Sequence, residues 1–166
     1  MKSMVRRDDA TMSTDFMRWA VREAWKGMNG NEGGPFGAAV VLKGRVISRA
    51  HNEVIKSKDP TAHAEILAIR RASKKLGRFD LGDCVLYSTC EPCPMCLAAI
   101  HWARIKTFYF GCTKSDAALI GFDDKAIYGA IKGDAKAPQI IGIPVQRDEC
   151  LELFKAWVAK EDKTPY

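Results

Sequence analysis

The chain reads as an α/β fold, a mixed sheet covered by helices, and three observations carry that reading. Short apolar segments with strand character alternate with segments whose apolar residues recur at spacings of three and four. No internal repeat, low-complexity tract or linker interrupts this order, so residues 1–166 are expected to form a single domain. At that length folding buries roughly two thirds of the unfolded surface, enough for one sizeable core.

Taken in order, residues 13–28 place Phe16, Met17, Ala20, Val21, Ala24 and Trp25 on one face of a helix, which the glycine-rich stretch 29–35 ends. Residues 36–42 and 45–50 read as two strands joined by a tight turn at Lys43-Gly44. A second helix is expected over 60–76, with Asp59 as N-cap and Pro60 at the first helical position. The apolar run 84–88 is a strand that leads into Pro92-Cys93-Pro94-Met95-Cys96, and Pro94 suits the first turn of a helix reaching Trp102. Residues 106–111 read as a strand, 123–131 as a short helix, 139–145 as a further strand, and 150–160 as a final amphipathic helix. The first dozen residues carry no pattern of their own.

Composition narrows the class. No run of about 18 apolar residues is present, so no membrane span is expected. The N-terminal stretch has basic residues without an apolar core behind them, which does not fit a signal peptide. The net charge of +6 comes from Lys and Arg spread among acids. Its densest stretch, Arg70-Arg71-Ala72-Ser73-Lys74-Lys75, falls where cations favour a helix C-terminus, so nucleic acid is not the expected partner. Six cysteines without a secretory signal point to a reducing compartment, and a cytoplasmic location is expected.

The chemistry concentrates in His63-Ala64-Glu65 and Cys93/Cys96. One imidazole and two thiolates suit Zn²⁺ with a fourth position left for water. Glu65 lies two residues from the histidine and can sit beside that position without ligating the metal. Both halves of the constellation fall at predicted helix starts, where partial positive charge favours thiolates. A closed structural site lacks an obvious fourth ligand: His51 ends a strand, and His101 lies at the far end of its helix. A redox C-x-x-C would need neither His63 nor Glu65.

With its H-x-E and P-C-x-x-C words, the chain resembles the cytidine-deaminase-like superfamily of zinc-dependent nucleobase and nucleoside deaminases. Within it, the chain resembles the small microbial guanine deaminases. The shared words are Gly33-Gly34-Pro35-Phe36-Gly37-Ala38, Asp59-Pro60-Thr61-Ala62-His63-Ala64-Glu65, Cys90-Glu91-Pro92-Cys93-Pro94-Met95-Cys96 and Gly121-Phe122-Asp123-Asp124. The last of these separates guanine and guanosine deaminases from tRNA adenosine deaminases.

The resemblance implies a three-layer α-β-α architecture on a mixed five-stranded sheet, and one Zn²⁺ per subunit. It implies hydrolytic deamination of guanine to xanthine and ammonia. His63, Cys93 and Cys96 are then the zinc ligands and Glu65 the proton shuttle. Asn52, Phe36, Trp102, Asp124, Tyr166 and Ala64 would contact the purine. A homodimer is implied as well, with a C-terminal segment of about 145–166 exchanged so that Tyr166 closes the other subunit's pocket. Guanosine deaminase shares the Gly121–Asp124 word and stays open as an alternative. Editing of tRNA adenosine would need a basic face for an RNA stem-loop. A non-catalytic zinc-stabilised binding domain would have no use for Glu65.

Overall fold

The sheet is organised around β1 (Gly37–Leu42), which pairs antiparallel with β2 (Arg45–His51) on one side and with β3 (Cys84–Cys90) on the other. β3 pairs parallel with β4 (Thr107–Cys112), giving the order β2-β1-β3-β4 in a computed structural model that describes residues 7–134, 136, 137 and 140–164. The β1–β2 hairpin closes through Lys43 (φ 47°) and Gly44 (φ 72°). Two consecutive left-handed residues are what a two-residue type I′ turn requires.

Helices cover both faces because successive residues of β1 point to opposite sides. On one side, Ala38 and Val40 join Ala50 and Leu86 in a core cluster with Ala64, Ala68 and Ala72 of α3 (Ala64–Leu76). Those three alanines stand four apart and are fully buried, so the helix carries a seam of small side chains toward the sheet. Close approach lets the Ser48 hydroxyl donate to the Ala68 carbonyl at 2.6 Å. Ile100 of α4 (Pro94–Trp102) completes this layer. On the other side lies α1 (Arg7–Asn29), whose Ala20 is fully buried. Gly37 makes its approach possible, since a Cβ there would lie 2.0 Å from the Ala20 carbonyl oxygen.

Four expectations are corrected. The sheet has four strands among the described residues, not five: 140–145 forms none, because Gly142 gives no side chain to pack and Pro144 no N–H to donate. α3 begins at Ala64 and not at residue 60, with Asp59 heading a local turn instead. Its Oδ1 accepts from the Thr61 N–H (2.8 Å) and hydroxyl (2.7 Å), and His63 becomes the N-cap. α1 begins at Arg7, six residues before the periodic apolar pattern. The last helix, α7 (Arg147–Ala159), likewise starts three residues early, with Asp148 and Glu149 in its first turn.

α2 (Val54–Ser57) and α5 (Lys114–Leu119) are short connectors, the latter with a Thr113–Asp116 capping box. The chain divides into two compact units, Met1–Lys125 and Ala126–Tyr166. The first holds the sheet and α1 to α5; the second holds most of α6 (Lys125–Ile131) and all of α7. No helix among the described residues is long and apolar enough to cross a membrane.

Candidate active site

Two helix starts meet at the end of β3. His63 is the N-cap of α3 and Cys93 the N-cap of α4, with Pro94 at the first helical position and Cys96 two residues further along. Leading residues of both helices have N–H groups without a carbonyl four residues back, so the local field is positive. His63 Nδ1 lies 3.6 Å from Cys93 Sγ and 3.5 Å from Cys96 Sγ. Bonds of about 2.0 Å to nitrogen and 2.3 Å to sulfur, at a tetrahedral angle, place N and S about 3.5 Å apart around one zinc ion. The donor set and its spacing therefore fit Zn²⁺, and all three ligand atoms lie within 4.8 Å of one another.

Beside this group Glu65 is buried, 6% exposed. Its Oε1 accepts from the Ser88 hydroxyl at 3.0 Å, and its Oε2 lies 3.5 Å from Cys96 Sγ. Burial raises the Glu65 carboxyl above its ordinary pKa, with the Ser88 hydrogen bond opposing that shift. A carboxyl poised in this way can both take and return a proton. Without a metal, hydrogen bonding from Cys96 brings the Cys93 thiol down to about 4, assisted by His63, while Cys96 as donor is pushed up. The Cys93 hydrogen bond raises His63.

The other expected site residues have defined surroundings of their own. Asn52 directly follows β2 and is buried; its N–H donates to the Phe36 carbonyl (3.0 Å) and its Oδ1 accepts from Val54 N–H (3.2 Å). That leaves the Asn52 amide NH₂ as the group with donors to offer. Phe36 stands edge-on to Phe122, ring centroids 4.9 Å apart, which ties the 33–36 loop to the Gly121-Phe122-Asp123-Asp124 word. Within that word Asp123 Oδ1 accepts from Lys125 N–H at the start of α6 (2.9 Å). Asp124 is raised by burial and then by the charge of Cys93. Ala64 is fully buried at the first position of α3.

One expected residue stands apart from the others among the described residues. Trp102 ends α4, about 12 Å along the axis from the Pro94 end, and its side chain is 70% exposed. Tyr166 lies outside the described residues.

Three features add to what the sequence reading offered. Ser88 carried no signal beyond being a hydroxyl inside an apolar strand. Gly33 packs against Asn52 so closely that a Cβ would lie 2.2 Å from its Oδ1. His51 is a satisfied polar histidine, as expected of a residue outside the zinc ligand set: its Nε2 meets Glu32 at 2.6 Å and its Nδ1 meets Glu23 at 3.2 Å, linking α1, the 30–36 loop and β2. With Glu53 this group has donors within reach of a cation, yet Lys56 already pairs with Glu32 (2.9 Å) and Arg71 with Glu53 (2.7 Å).

A histidine and a C-x-x-C pair at two facing helix starts, with a buried glutamate alongside, define the class of zinc-binding deaminases of the cytidine-deaminase-like fold. Residues 10–112 match the family described as the cytidine and deoxycytidylate deaminase zinc-binding region, and the chain belongs to that family. It is 47% identical to the guanine deaminase of Bacillus subtilis over 91% of this chain and 97% of the relative. The crystal structure of guanine deaminase from that organism superposes with a TM-score of 0.87 at 46% identity, covering 92% of this chain and 98% of the other. A tRNA-specific adenosine deaminase of Aquifex aeolicus is 46% identical over 57% of this chain and 62% of its own length.

Proposed function

We propose that the protein deaminates guanine hydrolytically to xanthine and ammonia. The observation that carries the reaction type is the buried Glu65 carboxylate, one oxygen on Ser88 and the other against Cys96, beside the His63/Cys93/Cys96 group. Similarity to guanine deaminase at 47% identity over 91% of the chain, against 46% over 57% and 35% over 72% for two tRNA-specific adenosine deaminases, supports the choice of base.

His63, Cys93 and Cys96 would hold Zn²⁺, which supplies the Lewis acidity that lowers the pKa of a water to about 7. Glu65 takes a proton as water adds to the carbon bearing the 2-amino group, and passes it to the adjacent ring nitrogen. Glu65 then takes the second proton of the former water and delivers it to the amino nitrogen, which leaves as ammonia. The carbon keeps the oxygen as the new carbonyl of xanthine. Asn52 holds the imidazole edge of the base, Asp124 accepts from guanine N–H donors, and Phe36 lies against the ring face. The Ala64 N–H, free of an intrahelical partner, is an additional donor toward the base.

The same reading includes a cytoplasmic homodimer in which the segment of about 145–166 is exchanged and Tyr166 closes the neighbouring pocket. Six free cysteines support a reducing compartment. β4 supports the dimer: it is an edge strand among the described residues and exposes Tyr109 and Phe110. Trp102, too far along α4 to wall its own site, is assigned to the pocket of the second copy. A pocket closed by Tyr166 leaves no room for ribose, which favours guanine over guanosine.

Ammonia release from guanine, guanosine, cytosine and a tRNA anticodon stem-loop by zinc-loaded protein tests the proposal. Turnover is expected on guanine. Turnover on another substrate without guanine turnover overturns the reading.

A further inference from the structure

The strand leading into the cysteines carries two adjacent hydroxyls, Ser88 and Thr89, which point to opposite faces of the sheet. Thr89 Oγ1 is used by the fold, accepting from the Gly37 N–H at 3.0 Å. Ser88 is paired in register with Ala38 and shares the face that Ala38, Val40 and Leu86 present to α3. On this apolar face it is 1% exposed, and its Oγ donates 3.0 Å to Glu65 Oε1. A hydroxyl so buried has a specific partner to satisfy.

We infer that Ser88 is a positioning residue for the deamination, acting through Glu65; the inference rests on the reading of this site as a guanine deaminase. Glutamate has a flexible side chain that must be held in one rotamer at a cost in entropy, and Ser88 is the side-chain hydroxyl that holds it, beside a backbone hydrogen bond at Glu65. With Oε1 fixed by Ser88, the other oxygen is turned to Cys96 Sγ at 3.5 Å, against the group that would hold the metal. Because the bond runs from the central part of the sheet to the first turn of α3, it places the carboxylate relative to both walls of the centre. Ser88 touches neither substrate nor metal ligand in this role. Its effect belongs in the proton-transfer step and not in binding of the base.

The test uses full-length, zinc-loaded protein carrying Ser88→Ala or Ser88→Thr, with metal content and thermal unfolding measured alongside guanine turnover. Ser88→Ala should lower kcat by roughly ten- to a hundredfold, the value of a lost hydrogen bond to a charged group, with KM within about twofold. Zinc content should be unchanged. Ser88→Thr, which returns the hydroxyl, should recover most of kcat. If the extra methyl keeps Ser88→Thr from folding, Ser88→Cys replaces it and should fall between alanine and serine. Three results overturn the inference: a folded Ser88→Ala with full kcat, a loss expressed in KM or in zinc content, or a folded hydroxyl-bearing variant no better than alanine. Unmutated protein without guanine turnover overturns the function reading and this inference together, and is told apart because it shows before any substitution is made.

Discussion

Gly33→Ala is a one-methyl change that should cost the site its grip on the base without touching the metal group. The added Cβ would lie 2.2 Å from Asn52 Oδ1 and 2.4 Å from the Asn52 carbonyl oxygen, where ordinary contact begins at 3.4 Å. About 1 Å of movement is therefore required of Asn52, by subtraction of those distances. The side chain alone cannot yield, because the backbone oxygen is also struck. Asn52 is 5% exposed, and its N–H and Oδ1 are both engaged, with Phe36 and Val54. Misplacement on the order of 1 Å in a positioning group costs about a hundredfold. We expect kcat/KM for guanine to fall by about that factor, chiefly through KM, with zinc content unchanged. Steady-state ammonia release reads the effect. Gly142→Ala is the control, since a Cβ there meets nothing within 4 Å. A folded Gly33→Ala with unmutated kcat/KM would refute the placement of Asn52 against the base.

Four further outcomes are expected. Glu65→Gln should retain zinc and lose activity by at least about a hundredfold; loss of zinc, read by metal analysis, would assign Glu65 a structural role instead. Because burial raises the Glu65 carboxyl and its ionised form is the base, kcat/KM should decline as pH falls through a pKa above the ordinary carboxylate range; an acid limb at an ordinary carboxylate pKa contradicts this. Zinc binding to the apoprotein near neutral pH should release at least one proton, that of Cys96, whose thiol is pushed up while the Cys93 thiol is held down. Calorimetry in buffers of different ionisation enthalpy counts those protons, and release of fewer than one would contradict the assignment. Gly37→Ala should destabilise the fold by about 3 kcal/mol in urea unfolding, since its Cβ would lie 2.0 Å from the Ala20 carbonyl oxygen and 2.7 Å from the Ala24 nitrogen. Near-unmutated stability there would contradict the packing of α1 on β1.

What the sequence disclosed followed local physics. Lys43-Gly44 announced its hairpin because a two-residue turn tolerates few residue types. His63, Cys93 and Cys96 could be joined on paper because metal ligands have fixed chemistry and short spacings. Asp59 misled, since its side chain satisfies a local turn as readily as a helix start. The apolar run before Val145 read as a strand by composition, whereas pairing depends on an N–H that Pro144 lacks. Ser88 was silent because its importance lies in a contact made across 23 positions of chain, to Glu65; Gly33 stood in a shared word, but its packing on Asn52, 19 positions away, did not show. Trp102 looked like a pocket wall on an apolar helix, and only the length of α4 separates it from its own centre.

Under the proposed function, the zinc and glutamate chemistry of this chain is directed at free guanine. The most direct test compares ammonia production by the zinc-loaded protein on guanine and on guanosine under identical conditions. Robust turnover of guanine is expected, with little or none of guanosine. Comparable or greater turnover of guanosine would contradict it.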